Sequence, residues 1–89
     1  MTFAPDRPYR LHPSVGLRPE GFGALAYHYE TRRLTFVKDA ELTDVLRRLA
    51  DYPDVLSTLI ALGVPAARHA GFVAALARLA AAEVICDRG

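Results

Sequence analysis

The sequence predicts an α+β domain in which an N-terminal three-stranded antiparallel sheet packs on three helices. The first 38 residues form three extended arms separated by turn-forming residues, and such runs are typical of strands. The rest of the chain carries apolar side chains at helical spacing behind aspartate residues suited to capping. With 89 residues, 52% of them hydrophobic, and a net charge of +1, residues 1–89 suffice for one small folded domain and not for two.

The three arms are residues 9–18, 23–29 and 33–38, with turns at 19–21 and 30–32. A sheet of this size has open edges. An edge strand exposes unpaired N–H and C=O groups, which either invite aggregation or dock another strand. The sheet therefore offers a candidate docking edge.

Side chains in the arms alternate between the two faces of the predicted sheet. In the third arm, Leu34 and Phe36 share one face, which we expect to be the core. The opposite face carries three residues that the pattern assigns to the solvent side: Arg33, Thr35 and Val37. The second arm alternates in the same way, so we expect Tyr27, Tyr29 and Phe36 to be core or core-edge aromatics.

Two helices are predicted to follow the sheet within residues 39–63. Asp39 can cap a first helix, whose apolar stripe consists of Leu42, Val45, Leu46 and Leu49. That helix should end near Asp51 because Pro53 disfavours helical angles at the residue before it. Asp54 can cap a shorter second helix, and Gly63 can end it in a left-handed conformation.

A third, alanine-rich helix is predicted to begin around Pro65 and to run to about Ile85. Its apolar stripe consists of Phe72, Val73, Leu76, Leu79 and Ala80. Gly71 costs a helix interior roughly 1 kcal/mol relative to alanine, so a close contact is expected there. Small side chains let another backbone approach, and either the protein's own sheet or a bound segment could supply it.

No set of residues predicts catalysis, a metal site or a cofactor. His12, His28 and His69 are scattered along the chain without a cysteine or carboxylate at ligand spacing. The single cysteine, Cys86, has no neighbour in sequence that would activate it. None of the six glycines stands in a phosphate-binding motif. We expect a protein that is not an enzyme.

The combination of three strands and three helices suggests a winged helix-turn-helix-like shape, which often binds DNA. Residues 1–38 carry six basic and three acidic side chains, whereas residues 39–63 carry two and five. The third helix offers only Arg68, His69 and Arg78 for contacts to bases or phosphates. A DNA-binding module therefore remains an alternative, and we expect no nucleic-acid partner.

The location follows from weaker signals. No stretch approaches the roughly 20 consecutive apolar residues that span a bilayer, and residues 1–6 do not resemble a signal peptide. A single cysteine cannot form an internal disulfide. We expect a soluble cytoplasmic protein without a membrane partner.

Three segments of the N-terminal half carry a resemblance to a known family. These are RPYRLHPSVGLRPE at residues 7–20, FGALAYHY at residues 22–29 and RRL at residues 32–34. They resemble the peptide chaperones of the mycofactocin system, and the similarity covers most of the chain. More broadly, the order of elements resembles the PqqD-like family of small winged-helix domains that recognise the leaders of ribosomally made, modified peptides.

The resemblance implies a binding mode and a set of site residues. In this family the leader adds as an extra strand beside the third strand and lies in a groove against the third helix. The residues carried over from the strand are Leu34, Thr35, Phe36, Val37 and Lys38. Those carried over from the helix are Gly71, Phe72, Ala75, Leu76 and Leu79. Which of these side chains face the groove and which face the core stays open.

The resemblance also implies partners. They are the leader of the mycofactocin precursor peptide and a radical S-adenosylmethionine maturase, to which the bound peptide is delivered. Arg32, Arg33 and Lys38 could complement acidic leader residues, or could simply be solvated. A homodimer that pairs the same strand edge between two copies is an alternative of a structural or regulatory class.

Overall fold

A computed structural model describes residues 3–89, and in this part of the chain five strands and three α-helices are present. The elements are β1 (Tyr9–Leu11), β2 (Val15–Glu20), β3 (Gly23–His28), β4 (Leu34–Val37), α1 (Ala40–Arg48), α2 (Val55–Ala61), α3 (His69–Ala81) and β5 (Ile85–Asp87). Short 3₁₀ turns at Leu49–Asp51 and Ala66–Arg68 follow α1 and precede α3.

The predicted three-stranded antiparallel sheet is confirmed, with the strand order β2-β3-β4. Leu25 lies opposite Phe36, and Tyr27 lies opposite Leu34. Gly23 opens β3 at a φ of 145°, and a Cβ built there would lie 2.1 Å from the carbonyl oxygen of Val37. Only glycine therefore allows the start of β3 to approach the end of β4 this closely.

The first arm is not one strand, so that prediction is wrong. It divides at residues 12–14 into β1 and β2, and β1 leaves the three-stranded sheet to pair with β5. The prediction that the third helix runs to Ile85 is also wrong. α3 ends at Ala81, Glu83 takes a positive φ of 62°, and Ile85 lies in β5 opposite Leu11.

The reason is tertiary. Val84 and Ile85 are each only 2% exposed, and the chain reverses just before them so that both can enter the core beside β1. High helix propensity in an alanine-rich segment is a weak preference, and it yields to apolar burial of this extent.

The predicted assignment of sheet faces is reversed. Val37 is 2% exposed and faces the core, whereas Phe36 is 57% exposed and Leu34 is 51% exposed. Tyr29 is 64% exposed, and Tyr27 is half-buried on the same outer face. The expectation that these aromatics are core or core-edge residues is therefore wrong for Tyr29 and Phe36, while Tyr27 is half-buried on the outer face.

Alternation separates two faces without showing which one is buried. Here the core face of β3 carries Ala24 and Ala26, at 0% and 1% exposure. These small side chains let α1 pack closely on the sheet. The bulky side chains stand on the opposite side.

The predicted helix caps of α1 and α2 are confirmed. The carboxylate of Asp39 accepts hydrogen bonds from the backbone N–H groups of Glu41 and Leu42, at 2.8 and 3.2 Å. The carboxylate of Asp54 accepts one from the N–H of Ser57 at 2.7 Å. Gly63 follows α2 with a φ of 76°, as a helix C-terminus requires.

The core lies between the inner face of the sheet and the three helices. Its largest fully buried side chains are Leu46, Leu49, Leu59, Leu76, Ile85, Val37, Val45, Val55 and Val84. Among the described residues, no helix has the length and apolar character needed to cross a membrane.

Candidate functional site

β4 is an edge strand whose outer side is open. Within residues 3–89 it pairs only with β3. The N–H of His28 donates to the carbonyl oxygen of Arg33 at 3.0 Å, and these two residues form the pair next to Tyr27–Leu34 in the ladder. Because hydrogen-bonded pairs alternate in an antiparallel ladder, the backbone groups of Thr35 point towards β3. Those of Leu34 and Phe36 point away from β3 and face the open edge.

β2 forms the opposite edge and is a poorer acceptor of a further strand. The N–H of Tyr29 donates to the carbonyl oxygen of Ser14 at 2.7 Å, so the outward positions of β2 are Val15, Leu17 and Pro19. The N–H of Val15 already donates to the carbonyl oxygen of His12 at 2.9 Å. Proline has no N–H to offer. In the described chain, this leaves Leu17 as the outward donor of β2.

A cavity of about 320 Å³ lies between the start of α1 and the start of α3. It is lined by Asp39, Leu42, Ala67, Arg68, Gly71, Phe72 and Ala75. A Cβ built on Gly71 would meet no heavy atom within 4 Å, so this residue faces open space. Asp39, which lines the cavity, follows β4 by two residues, so the cavity lies near the C-terminal end of this edge strand.

Arg68 closes one side of this cavity. Its guanidinium donates two hydrogen bonds to the carboxylate of Glu41, at 2.8 and 3.1 Å, and stands 5.3 Å from the centroid of the Phe72 ring. The hydrogen bonds to Glu41 raise the pKa of Arg68 above its ordinary value. The pair joins the first turn of α1 to the residue just before α3, the two elements that line the cavity.

The predicted site residues divide into three groups. On β4, Leu34, Phe36 and Lys38 are exposed, whereas Thr35 is half-buried and Val37 is buried. On α3, Gly71, Phe72 and Ala75 line the cavity. Leu76 and Leu79 are 0% and 7% exposed and belong to the core, so they support the helical wall from behind.

Sequence reasoning missed two lining residues at the start of α1, Asp39 and Leu42, and two just before α3, Ala67 and Arg68. The cap at Asp39 and the apolar stripe that includes Leu42 are both present as predicted. What the sequence did not indicate is that the starts of α1 and α3 border one cavity. Only the packing of the helices creates the cavity between them.

The structure brings together three residues that lie apart in the sequence: His12, His28 and Glu30. Their possible metal-binding atoms lie within 4.8 Å of one another. The Nδ1 atom of His12 accepts a hydrogen bond from the N–H of Ser14 at 3.0 Å. The Nδ1 atom of His28 accepts from the N–H groups that follow it, those of Glu30 and Thr31 at 3.3 and 3.2 Å.

These hydrogen bonds place the proton of each neutral imidazole on Nε2. The second nitrogen of each ring then carries an N–H group and not the lone pair that a metal ion needs. The Nε2 atom of His28 is buried without a hydrogen-bond partner in the described chain. His28, 4% exposed, instead holds the turn between β3 and β4 through its Nδ1 atom. We assign this cluster a structural role.

Comparison with known proteins gives a consistent result. Residues 8–86 match the model of the Peptide chaperone MftB family. A peptide chaperone MftB of Mycobacterium ulcerans is 48% identical over 84 residues, which cover 94% of this chain and 77% of the relative. Those of Mycobacterium tuberculosis and Mycolicibacterium smegmatis are each 44% identical, over 97% and 96% of this chain and 79% and 83% of the relative. No solved structure matches the chain.

Proposed function

This chain belongs to the peptide chaperone MftB family, whose role is non-catalytic, and on that premise we propose that it binds the leader of the mycofactocin precursor peptide by strand addition at β4. The bound peptide is then delivered to a radical S-adenosylmethionine maturase. The observation that carries the proposal is the open edge of β4 beside the cavity at α3.

The edge supports strand addition through its backbone. Leu34 and Phe36 each direct an N–H and a C=O outwards, so an extended peptide can form a ladder with them whatever its sequence. Each net hydrogen bond of this kind contributes about 0.5 to 1.5 kcal/mol. The backbone therefore supplies affinity, while the leader's side chains must supply specificity.

The cavity supports a choice of side chain. Side chains of an added strand alternate between the outer face of the sheet and the inner side, and we infer that the inner ones reach the cavity between α1 and α3. The lining is mainly apolar, with Arg68 and Asp39 at its border. A leader that places an apolar side chain on the inner side can bury it here, and each buried CH₂ group contributes about 0.8 kcal/mol.

Charge gives a secondary preference. Arg32, Arg33 and Lys38 flank β4, and none of them takes part in an ion pair within the described chain. Acidic leader residues near either end of the docked segment would speed the encounter. This contribution is expected to weaken as salt increases.

Delivery requires no chemistry in this chain. Holding the leader beside the maturase raises the effective concentration of the peptide's reactive end, which can increase apparent affinity without a new contact at the active site. In this proposal residues 1–89 form one winged helix-turn-helix-like, PqqD-like domain that works in the cytoplasm.

The test is calorimetric titration of the protein with the synthetic precursor peptide, either complete or lacking its leader. We expect saturable one-to-one binding with a Kd below about 10 μM, roughly −7 kcal/mol, for the complete peptide only. Equal binding of both peptides would show that the leader is not the ligand. No binding of either peptide would contradict the proposal.

The open edge of β4 also fits a second copy of this chain. A homodimer joined through β4 would occupy the edge that the leader needs. Sedimentation at micromolar concentration distinguishes the two functions. If the protein is such a dimer, adding the leader should convert it to monomers. If it is a monomer, adding the leader should raise its mass only by the mass of the bound peptide.

A further inference from the structure

The outer face of the three-stranded sheet carries an exposed apolar surface, here called the outer patch. It consists of Phe22, Leu25, Tyr27, Tyr29, Leu34 and Phe36. Of the six exposed large hydrophobic residues in the described chain, four belong to this patch and the other two lie on α2. The four in the patch are 43% to 64% exposed, so the patch lies on the surface and is not a margin of the core.

The aromatic side chains of the patch hold one another in place. Tyr27 and Tyr29 meet edge to face with ring centroids 5.0 Å apart, and Phe22 and Phe36 are 6.0 Å apart. Tyr29 lies across β2 above Gly16, where a Cβ would stand 2.7 Å from the tyrosine hydroxyl oxygen. A missing side chain thus makes room for an exposed tyrosine, and the patch has a defined shape before any partner arrives.

The patch contains a shallow depression of about 460 Å³. It is lined by Gly16, Leu17, Arg18, Leu25, Tyr27, Tyr29 and Leu34. The lining comes from all three strands, which stand about 4.8 Å apart in a sheet. A single peptide strand added beside β4 would extend the sheet at that edge and would lie roughly 14 Å from β2, so it could not cover the part of the patch at β2.

The border of the patch is positively charged. Lys38 places its Nζ atom 5.9 Å from the Phe36 ring centroid, and Arg32 and Arg33 stand at the turn before β4. Arg18 is neutralised by Glu20, since the guanidinium and the carboxylate are 2.8 Å apart. No ion pair within residues 3–89 involves the other three cations. A partner that is complementary to the outer patch must therefore present a surface that is apolar at its centre and acidic at its rim.

We propose that the outer patch docks the enzyme that modifies the bound peptide, through an apolar surface bordered by acidic side chains. This inference rests on the proposed function, because a chaperone without catalytic residues must bring its peptide to a second protein. Aromatic side chains and arginine are the residue types that carry most interface energy. The leader edge and the outer patch adjoin at β4, so both partners can be held by one small sheet.

The experiment is a pair of titrations on each variant, one with the complete precursor peptide and one with the purified maturase in the presence of that peptide. Tyr29→Glu places a charge in the patch at a 64% exposed position away from β4. Ile60→Glu, at a 68% exposed position on α2, is the matched control. We expect Tyr29→Glu to weaken maturase binding at least tenfold and to leave peptide binding unchanged, while Ile60→Glu changes neither.

A second variant tests the acidic partner surface. Arg33→Glu reverses one charge at the border without altering the apolar centre. At a peptide concentration that saturates the variant, it should weaken maturase binding severalfold at low salt and less at high salt. Circular dichroism of both variants checks that the sheet is retained.

The outcomes separate the two proposals. If the unaltered protein does not bind the complete precursor peptide, the proposed function is contradicted. Peptide binding with maturase binding that is absent, or unaffected by Tyr29→Glu, would overturn the docking assignment. A dimer of the unaltered protein that Tyr29→Glu converts to a monomer, with maturase binding intact, would overturn it in favour of an interface between copies.

Discussion

The two edges of the three-stranded sheet have the same kind of backbone and differ in what they offer a further strand. The edge of β4 directs the groups of Leu34 and Phe36 outwards. The edge of β2 loses one donor to a turn, through the hydrogen bond from Val15 to His12, and lacks a second at Pro19. A few residues thus leave the edge of β2 with few free N–H donors, while the edge of β4 can still pair with a further strand.

The difference shows that the capacity of an edge strand to pair with a further strand depends on its outward positions and not only on its place in the sheet. Apolar character would not have separated the two edges, since both strands carry valine and leucine. A one-residue shift of the ladder would turn Pro19 inwards, where its missing N–H would break a sheet hydrogen bond. The pairing register therefore decides which edge is open.

The largest effect is expected where β3 meets the end of β4. Gly23→Ala places a Cβ 2.1 Å from the carbonyl oxygen of Val37 at a φ of 145°, so β4 must move or unpair. We expect the free energy of unfolding to fall by about 3 kcal/mol, measured by urea denaturation. Gly21→Ala is the control, because nothing lies within 4 Å of its Cβ position. Equal loss in both variants would contradict the close approach.

The next prediction compares the edges directly. Phe36→Pro removes an outward N–H of β4, and Leu17→Pro removes the corresponding outward N–H of β2. We expect Phe36→Pro to weaken leader binding at least tenfold in calorimetry, while Leu17→Pro changes it less than twofold. Phe36→Ala separates the side chain from the backbone and should bind more tightly than Phe36→Pro. Equal effects of the two proline variants would contradict a preference for β4.

A third prediction concerns the helical wall beside the edge. Gly71→Ala should raise the free energy of unfolding by about 0.5 to 1 kcal/mol, because alanine is the better helix former and its Cβ meets no atom within 4 Å. Gly71→Leu should fill part of the cavity and weaken leader binding about fivefold without loss of stability. Unchanged leader affinity in Gly71→Leu would show that the leader does not enter this cavity.

The smallest effect is expected away from both edges. The hydrogen bond from the N–H of Ser57 lowers the pKa of Asp54 below its ordinary value. Asp54→Ala should therefore cost roughly 0.5 to 1 kcal/mol of stability at neutral pH, as loss of a helix cap does. The difference should stay constant above about pH 4 and shrink as the pH falls through the lowered pKa, because the protonated carboxyl group no longer accepts the bond. Leader affinity should not change.

Local signals in the sequence are sufficient to predict those helix boundaries that depend on a capping side chain or on a glycine. The caps at Asp39 and Asp54 and the end at Gly63 depend on residues close in the chain, so their chemistry could be predicted without knowledge of the fold. The resemblance carried by residues 7–34 likewise indicates the family, because it depends on residue identities alone. The candidate edge at β4 follows from the same information.

Three features were beyond local signals. Alternation in β3 and β4 predicts two faces, and only the close packing of α1 on Ala24 and Ala26 decides that Val37 is inside and Phe36 outside. Helix propensity would extend α3 to Ile85, and only the pairing of β5 with β1, 74 or more positions apart in sequence, ends it at Ala81. The cavity beside Gly71 likewise depends on how α1 and α3 pack, which no local pattern reports.

The sequence by itself determined the family, the antiparallel sheet, the three helices and the caps of α1 and α2, because these depend on residue types and on neighbours within a few positions. The tertiary structure decided which sheet face is buried, which edge keeps its donors and where α1 and α3 leave a cavity. Those properties depend on contacts between distant segments, whose free energy of burial exceeds the preferences of any single stretch of chain.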